Sequence, residues 1–561
     1  MKTLFNKSIV LLFTTFSLLT STLIYSQTYS SYNDLAKDAY DKKNYELTIE
    51  YCNKSINIQP NGWAYWERAN AEWVLYKNKE AAEDYGKAIP YYTENISLGK
   101  LYFYRGDCYY ALFNYKDAID DYNKAYNYGY EEYGKLYQNR GNAYRWNGDY
   151  SKAIDDYTKA IPYFNSNLKN QSKIYQSMAS CNNSLSRYDD AIKGYSKAID
   201  IDPGNASAYQ YRAYVYAKKY NYKMAKEDLS KAIQFNTDTL FGQYNKASML
   251  NDRGLYNYYL GNYEDGLKDC KAANETDTLL KTNWNMGLNY GGLGNYPKAI
   301  EYYNKERNNR KDSSIKATLS RNIALNYRNM LNYKTALEEV NKAILWNEKY
   351  ADAYLTRAEI KKVQKNYLSA IDDYDKALQL YGDDKAYKST VYKDRGEVYV
   401  KLKNLDRAFY DYKKYLELFP ENANTLYEYG RFLIANKKDI SDAKEKLQKC
   451  VSLCLASDTS SDYSYAKLFL GDKDEAINNT FRLIDKYRFD KYQYKWELHV
   501  MACIYALSGN SKKAIEYQDK SFKEGLTDFN HLLNDRDLES IRNLPEYKAL
   551  LIKYKMPIPK Y

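Results

Sequence analysis

The residues able to do chemistry are few and badly placed for it. A zinc protease or a nucleophilic triad needs histidine beside a second catalytic group, and the two histidines, His499 and His531, fall in different helical elements. Gly287, Gly291, Gly292 and Gly294 have the composition of a phosphate loop, yet no strand precedes them and Gly294 has the place of a turn residue. Cys450 and Cys454 lie one helical turn apart with no histidine near them in the sequence, which makes a poor zinc pattern. The carboxylate pairs Asp120 with Asp121 and Asp372 with Asp373 recur with a regular period, as an active site would not. No catalytic residue, metal or cofactor is therefore implied, and the chain reads as a non-enzyme. The seven cysteines, odd in number and far apart, read as small buried thiols, with a disulfide as the alternative in an oxidising compartment.

A different set of charges is patterned. Arg68, Arg105, Arg140, Arg212, Arg253, Arg357 and Arg395 are each followed, 16 residues later, by Asp84, Asp121, Asp156, Asp228, Asp269, Asp373 and Asp411. Where the arginine is absent so is the aspartate, as in Leu35 with Tyr51, Met178 with Gly194 and Ile323 with Glu339. Joint gain and loss within one chain predicts that the two side chains touch, since a guanidinium can grip a carboxylate through two hydrogen bonds while a lone buried charge is costly. The competing reading is an arginine row that grips an acidic partner.

The elements that position these residues recur too. A landmark small residue falls at Thr48, Ala81, Ala118, Ala153, Ala191, Ala225, Gly266, Ala299, Ala336, Ala370, Ala408, Ala443, Ala476 and Ala514, at spacings of 33 to 41 residues. Such a period means one supersecondary unit per repeat, stacked so that neighbours bury a continuous core. Each unit reads as two helices. The second carries one apolar stripe, as in Tyr150, Ala153, Ile154, Tyr157, Ala160 and Ile161, and the first holds small residues such as Gly141 that admit the facing helix.

Tyr102, Gly106, Tyr109, Tyr115, Ala118, Tyr122 and Ala125, with the unit-ending prolines Pro60, Pro203 and Pro420, make this unit resemble the tetratricopeptide repeat (TPR). The resemblance covers most of the chain and implies an all-α, right-handed α-solenoid of about 14 helix-turn-helix units. It also implies a concave groove lined by the first helices. Carried onto this chain, the groove positions place Trp63, Trp66, Trp73, Trp146, Trp284 and Trp496 on one surface, with Lys135, Gln138, Asn142, Arg145, Gln176 and Gln210 around them. Tryptophan is typical of binding hot spots. The alternative is that these rings pack against the next repeat and that Trp63 and Trp66 seal the N-terminal end.

Lys2 and Lys7 precede an apolar and hydroxylic run from Ser8 to Ile24, followed by Tyr25, Ser26 and Gln27. This reads as a secretory signal over 1–26, with an uncleaved membrane anchor as the competing reading. Regular repeats are expected over 27–420, divergent ones over 421–524 and capping helices over 525–561. The formal net charge of +11 comes from 83 basic and 72 acidic residues interspersed on exposed faces, which argues against nucleic acid as a partner. No later segment is apolar for long enough to span a membrane. The expectation is an exported scaffold, in a bacterial periplasm, outer envelope or secreted, that binds a protein or extended peptide. A glycan or cell-wall adaptor, or a structural subunit of an envelope secretion or assembly complex, is the alternative.

Overall fold

A computed structural model describes residues 29–236, 240–277, 282–456, 460–554 and 556. The expected signal segment, 1–26, lies outside the described residues. Helix follows helix, and no strand occurs among the described residues. Fourteen antiparallel pairs run from 29–41 with Tyr45–Ile58 to Lys491–Leu507 with Ser511–Lys523. Every landmark small residue sits in the second helix of its pair and is buried there. The chain divides at 237/238 into two compact units, the first with six pairs and the second with eight. In each, consecutive pairs stack in order, the arrangement of an α-solenoid of helix-turn-helix repeats.

Why the two helices fold back is written at the turn. Each of the 14 turns holds one residue of positive φ: Gly148, Gly261, Gly294, Gly471 and Gly509, but elsewhere Lys43, Tyr76, Phe113, Ser186, Tyr220, Leu331, Lys365, Lys403 and Lys437. That residue lets the chain close a C-terminal cap, as where Asn114 N–H donates to Tyr109 O at 2.9 Å and Phe113 N–H to Tyr110 O at 3.0 Å. The next helix then starts at once, often on an asparagine such as Asn221 or Asn332 whose side chain accepts from its first turn.

Within a pair the close approach depends on a small residue opposite a tyrosine. A Cβ added to Gly106 would stand 3.0 Å from the Tyr122 ring, and one on Gly141 3.0 Å from Tyr157. Neighbouring pairs share core residues. Phe103, Tyr122, Ala125, Tyr130, Leu136 and Ala143 form one cluster drawn from two successive repeats. All seven cysteines are buried and unbridged.

Candidate functional site

The charge ladder comes first, because it fixes which arginines remain for other work. Arg105 meets Asp121 at 2.6 and 2.8 Å, Arg140 meets Asp156 at 2.7 and 2.8 Å, and Arg212 meets Asp228 at 2.7 and 2.7 Å. Arg253 with Asp269, Arg357 with Asp373 and Arg395 with Asp411 repeat the two-bonded geometry within 2.6–2.9 Å, and Arg68 grips Asp84 the same way. In Arg68, Arg140, Arg212, Arg357 and Arg395 the third donor reaches back to the preceding repeat. Arg140 donates to Asn123 at 2.9 Å, Arg212 to Ser196 at 2.8 Å and Arg357 to Asn341 at 2.8 Å. Tyr126 and Tyr137 flank the Arg140 guanidinium at 5.7 and 5.6 Å. Where the arginine is missing the vacancy is filled otherwise: buried Glu339, opposite Ile323, takes Arg307 of the previous repeat at 2.5 Å and Lys342 at 2.7 Å.

In the first unit an open pocket of about 420 Å³ lies across the first helices Gly62–Val74, Asn95–Ala111 and Tyr133–Asn147. Trp73, Tyr76 and Tyr110 supply its aromatic wall, and Asp107, Asn139 and Asn142 its polar one. Asp107 Oδ1 accepts from Tyr122 Oη at 2.6 Å and from Asn139 Nδ2 at 2.9 Å. Burial pushes the Asp107 carboxyl up to about 6, against those two hydrogen bonds and the charge of Lys135. The pocket therefore holds a carboxylate that gains from a cationic neighbour. The expected groove residues did not include Asp107. Its signal was its place in the first helix, the same as that of Asn70 and Asn142, each of which accepts from a tyrosine 15 residues on.

The expected groove tryptophans separate into two kinds. Trp73 is 40% exposed at the pocket and Trp146 is 56% exposed, whereas Trp63, Trp66, Trp284 and Trp496 are half-buried. Trp66 stands edge-on to Tyr92 at 5.2 Å and packs on the core cluster around Tyr85, and Trp284 packs on that around Tyr303. Trp146 has Arg145 over its ring at 4.9 Å and Tyr115 stacked beside it at 6.3 Å. Several polar groove candidates already have partners, Gln138 and Gln176 in the next repeat and Gln210 and Lys135 within their own. Gln138 and Asn170 exchange two amide bonds of 3.1 Å, Gln176 accepts from Asn205 at 3.1 Å, Gln210 donates to Tyr214 at 2.9 Å and Lys135 pairs with Glu132. Asn142, which accepts from Tyr157, is the member of that set on the pocket wall.

The second unit carries its own chain on the corresponding surface. The segment after the last pair packs on Met501, Cys503 and Tyr505 through Leu532, Leu533, Leu538, Ile541 and Tyr547, and continues onto much earlier repeats. Tyr296 Oη donates to Thr527 O at 3.1 Å, Arg536 pairs with Glu428 and lies 3.4 Å from Glu397, and Arg431 pairs with Asp537. Lys362 joins this network through Asp394 at 3.0 Å and Glu397 at 3.2 Å, and Lys393 through Glu428 at 3.3 Å. Burial works to raise the Glu428 carboxyl, but Lys393, Arg536 and Arg431 overcome it and hold it down at about 2. The stretch expected only to cap the last repeat thus also occupies the inner face of repeats more than 100 residues upstream.

Models of the tetratricopeptide repeat match residues 349–421 and 134–162, and a TPR-repeat model matches residues 183–219. Serine/threonine-protein phosphatase 5 of Mus musculus is 33% identical over 94 residues, 17% of this chain and 18% of that protein. The TPR repeat-containing thioredoxin TDX of Arabidopsis thaliana is 32% identical over 101 residues, 17% of this chain and 25% of that protein. The chain thus spans a quarter or less of these relatives. Among solved structures, a tetratricopeptide repeat protein from Parabacteroides merdae is 18% identical over 46% of this chain and 97% of its own, with a TM-score of 0.39. YrrB, described as a TPR protein with an unusual peptide-binding site, is 24% identical over 35% of this chain and 98% of its own, with a TM-score of 0.29. These structural likenesses concern the kind of fold. No helix among the described residues is long and apolar enough to cross a membrane.

Proposed function

We propose that this chain of tetratricopeptide repeats is an exported, non-catalytic scaffold whose first unit takes an extended segment of a protein partner. The observation that carries this reading is the pocket of Trp73, Tyr76, Tyr110, Asp107, Asn139 and Asn142. Its aromatic wall offers apolar contact, its asparagine amides suit peptide backbone, and Asp107 favours a lysine or arginine side chain or an amino terminus. Export rests on the apolar run Ser8 to Ile24, and the mature chain begins at or near Gln27.

A photo-crosslinking residue in place of Tyr76, at the exposed lip of the pocket, tests the partner class in the native cells. Adducts on one defined segment of a protein support the reading. Adducts on carbohydrate replace it with the glycan adaptor, and an absence of adducts sinks both. N-terminal sequencing tests export separately, because an intact Met1 or Lys2 favours the anchor.

A further inference from the structure

We propose that His499, Cys503 and Asp535 form a zinc site, with His531 beside its fourth position. His499 and Cys503 stand one turn apart on the helix Lys491–Leu507, and His531 and Asp535 have the same spacing on the segment that follows the last pair. His499 Nε2 lies 3.0 Å from Asp535 Oδ2, Cys503 Sγ lies 3.5 Å from that oxygen, and Sγ lies 3.6 Å from Nε2. Zinc bonds of about 2.0–2.3 Å in tetrahedral geometry require ligand-to-ligand edges of roughly 3.3–3.8 Å, so the three atoms already stand close to one face of the tetrahedron. His531 Nε2 is 3.7 Å from the same Asp535 oxygen and its side chain is partly open to solvent, the place for a fourth ligand or a water.

The orientation of His499 supports this. Its Nδ1 stands 2.9 Å from Gln518 Oε1 and its Nε2 faces the Asp535 carboxylate, so a proton held on Nδ1 by Gln518 would free Nε2 to bind a metal. Nε2, the Asp535 oxygen and the Cys503 sulfur thus converge as three ligand atoms on one point. Gln518 is the kind of outer partner that fixes the tautomer of a metal-bound imidazole. Zinc would displace the thiol proton to solvent and leave Zn²⁺, one thiolate and one carboxylate, a neutral set suited to a buried place. Trp496 stands edge-on to His499 at 5.7 Å and to His531 at 5.3 Å and holds both rings. Bound there, zinc would clasp the segment carrying Arg536 and Asp537 to the last repeat.

The test uses the full-length protein, stripped with a chelator and titrated with cobalt(II), then with zinc. One equivalent of cobalt with tetrahedral visible bands and a thiolate charge-transfer band is expected, displaced by zinc. Cys503→Ser should lose the charge-transfer band, and His499→Asn should weaken zinc binding at least tenfold while helical content stays. Gln518→Leu should weaken zinc about tenfold without touching a ligand, the scale of outer-partner losses. Wild-type protein that takes up no cobalt, or uptake unchanged in Cys503→Ser, overturns the site and leaves His499 with Asp535 as a hydrogen-bonded pair only.

Discussion

Arg140 holds Asp156 through two parallel hydrogen bonds, Nε to Oδ2 at 2.7 Å and Nη2 to Oδ1 at 2.8 Å, while Nη1 donates to Asn123 of the preceding repeat at 2.9 Å. One buried guanidinium thus ties the two helices of its own repeat and the interface with its neighbour. In a solenoid, where each repeat touches only those beside it, such a link acts on the interface energy that makes the array cooperative. Arginines so engaged are not open to an acidic partner.

Arg140→Ala should lower stability by about 1–3 kcal/mol, because it leaves Asp156 buried and unpaired. Replacing both partners with apolar residues, Arg140→Met with Asp156→Leu, should cost less than either single change. Urea unfolding of the full protein measures this, and a double variant as unstable as the sum of the singles would refute the coupling.

Trp66→Ala and Trp73→Ala should behave oppositely. Trp66 packs on the core, so its truncation should cost about 3 kcal/mol of stability, at the low end for a large side chain because it is only half-buried. Trp73 should melt almost as wild type and lose about 2 kcal/mol or more of partner binding. A large drop in the melting temperature of Trp73→Ala would remove it from the pocket's working surface.

The Asp107 carboxyl, pushed up to about 6 by burial, titrates near 3.9 in an unfolded chain. The folded state therefore binds this proton more tightly. Its contribution to stability is present below about pH 4 and is lost as pH rises through about 6. Asp107→Asn should lack that decline, so thermal melts of wild type and variant should diverge as pH rises from about 4 to about 6. Capture of a cationic segment should run the other way and strengthen as pH rises through about 6, since only the ionised carboxylate attracts it.

Lys403 adopts φ 60 in an exposed turn, a conformation that costs most residues roughly 1–2 kcal/mol and glycine little. Lys403→Gly should hold or raise stability by up to about 1 kcal/mol, unlike glycine inside a helix, which costs about 1 kcal/mol. Destabilisation by thermal melt would mean the lysine side chain outweighs the backbone strain.

Glu428→Ala should leave Arg536 and Lys393 without their shared carboxylate and release the terminal segment from the inner face, at a cost of about 3 kcal/mol. Hydrogen exchange in the helix Pro545–Lys553 should quicken while the helix Tyr133–Asn147 stays protected. Equal protection in variant and wild type would show that apolar packing alone holds the segment.

The sequence by itself determined the unit: two helices, an alanine landmark and an Arg–Asp recurrence, all visible because each is a local pattern repeated many times within one chain. Helix identity follows from apolar spacing inside a few turns, and the pair of charges from covariation between repeats that share one geometry. The distances that join Arg140 to Asp156 came from the structure, as did its reach to Asn123 of the previous repeat. The features that emerge only in three dimensions do not repeat. His499 and His531 lie in different elements of the sequence, yet their rings stand 5.6 Å apart and both face the Asp535 carboxylate. Arg536 meets Glu428 across 108 residues, and Asp107 accepts from Tyr122 of its own repeat and Asn139 of the next. Such meetings depend on small rotations summed over many stacked repeats and on a terminal segment that obeys no repeat. No local window of sequence carries that information.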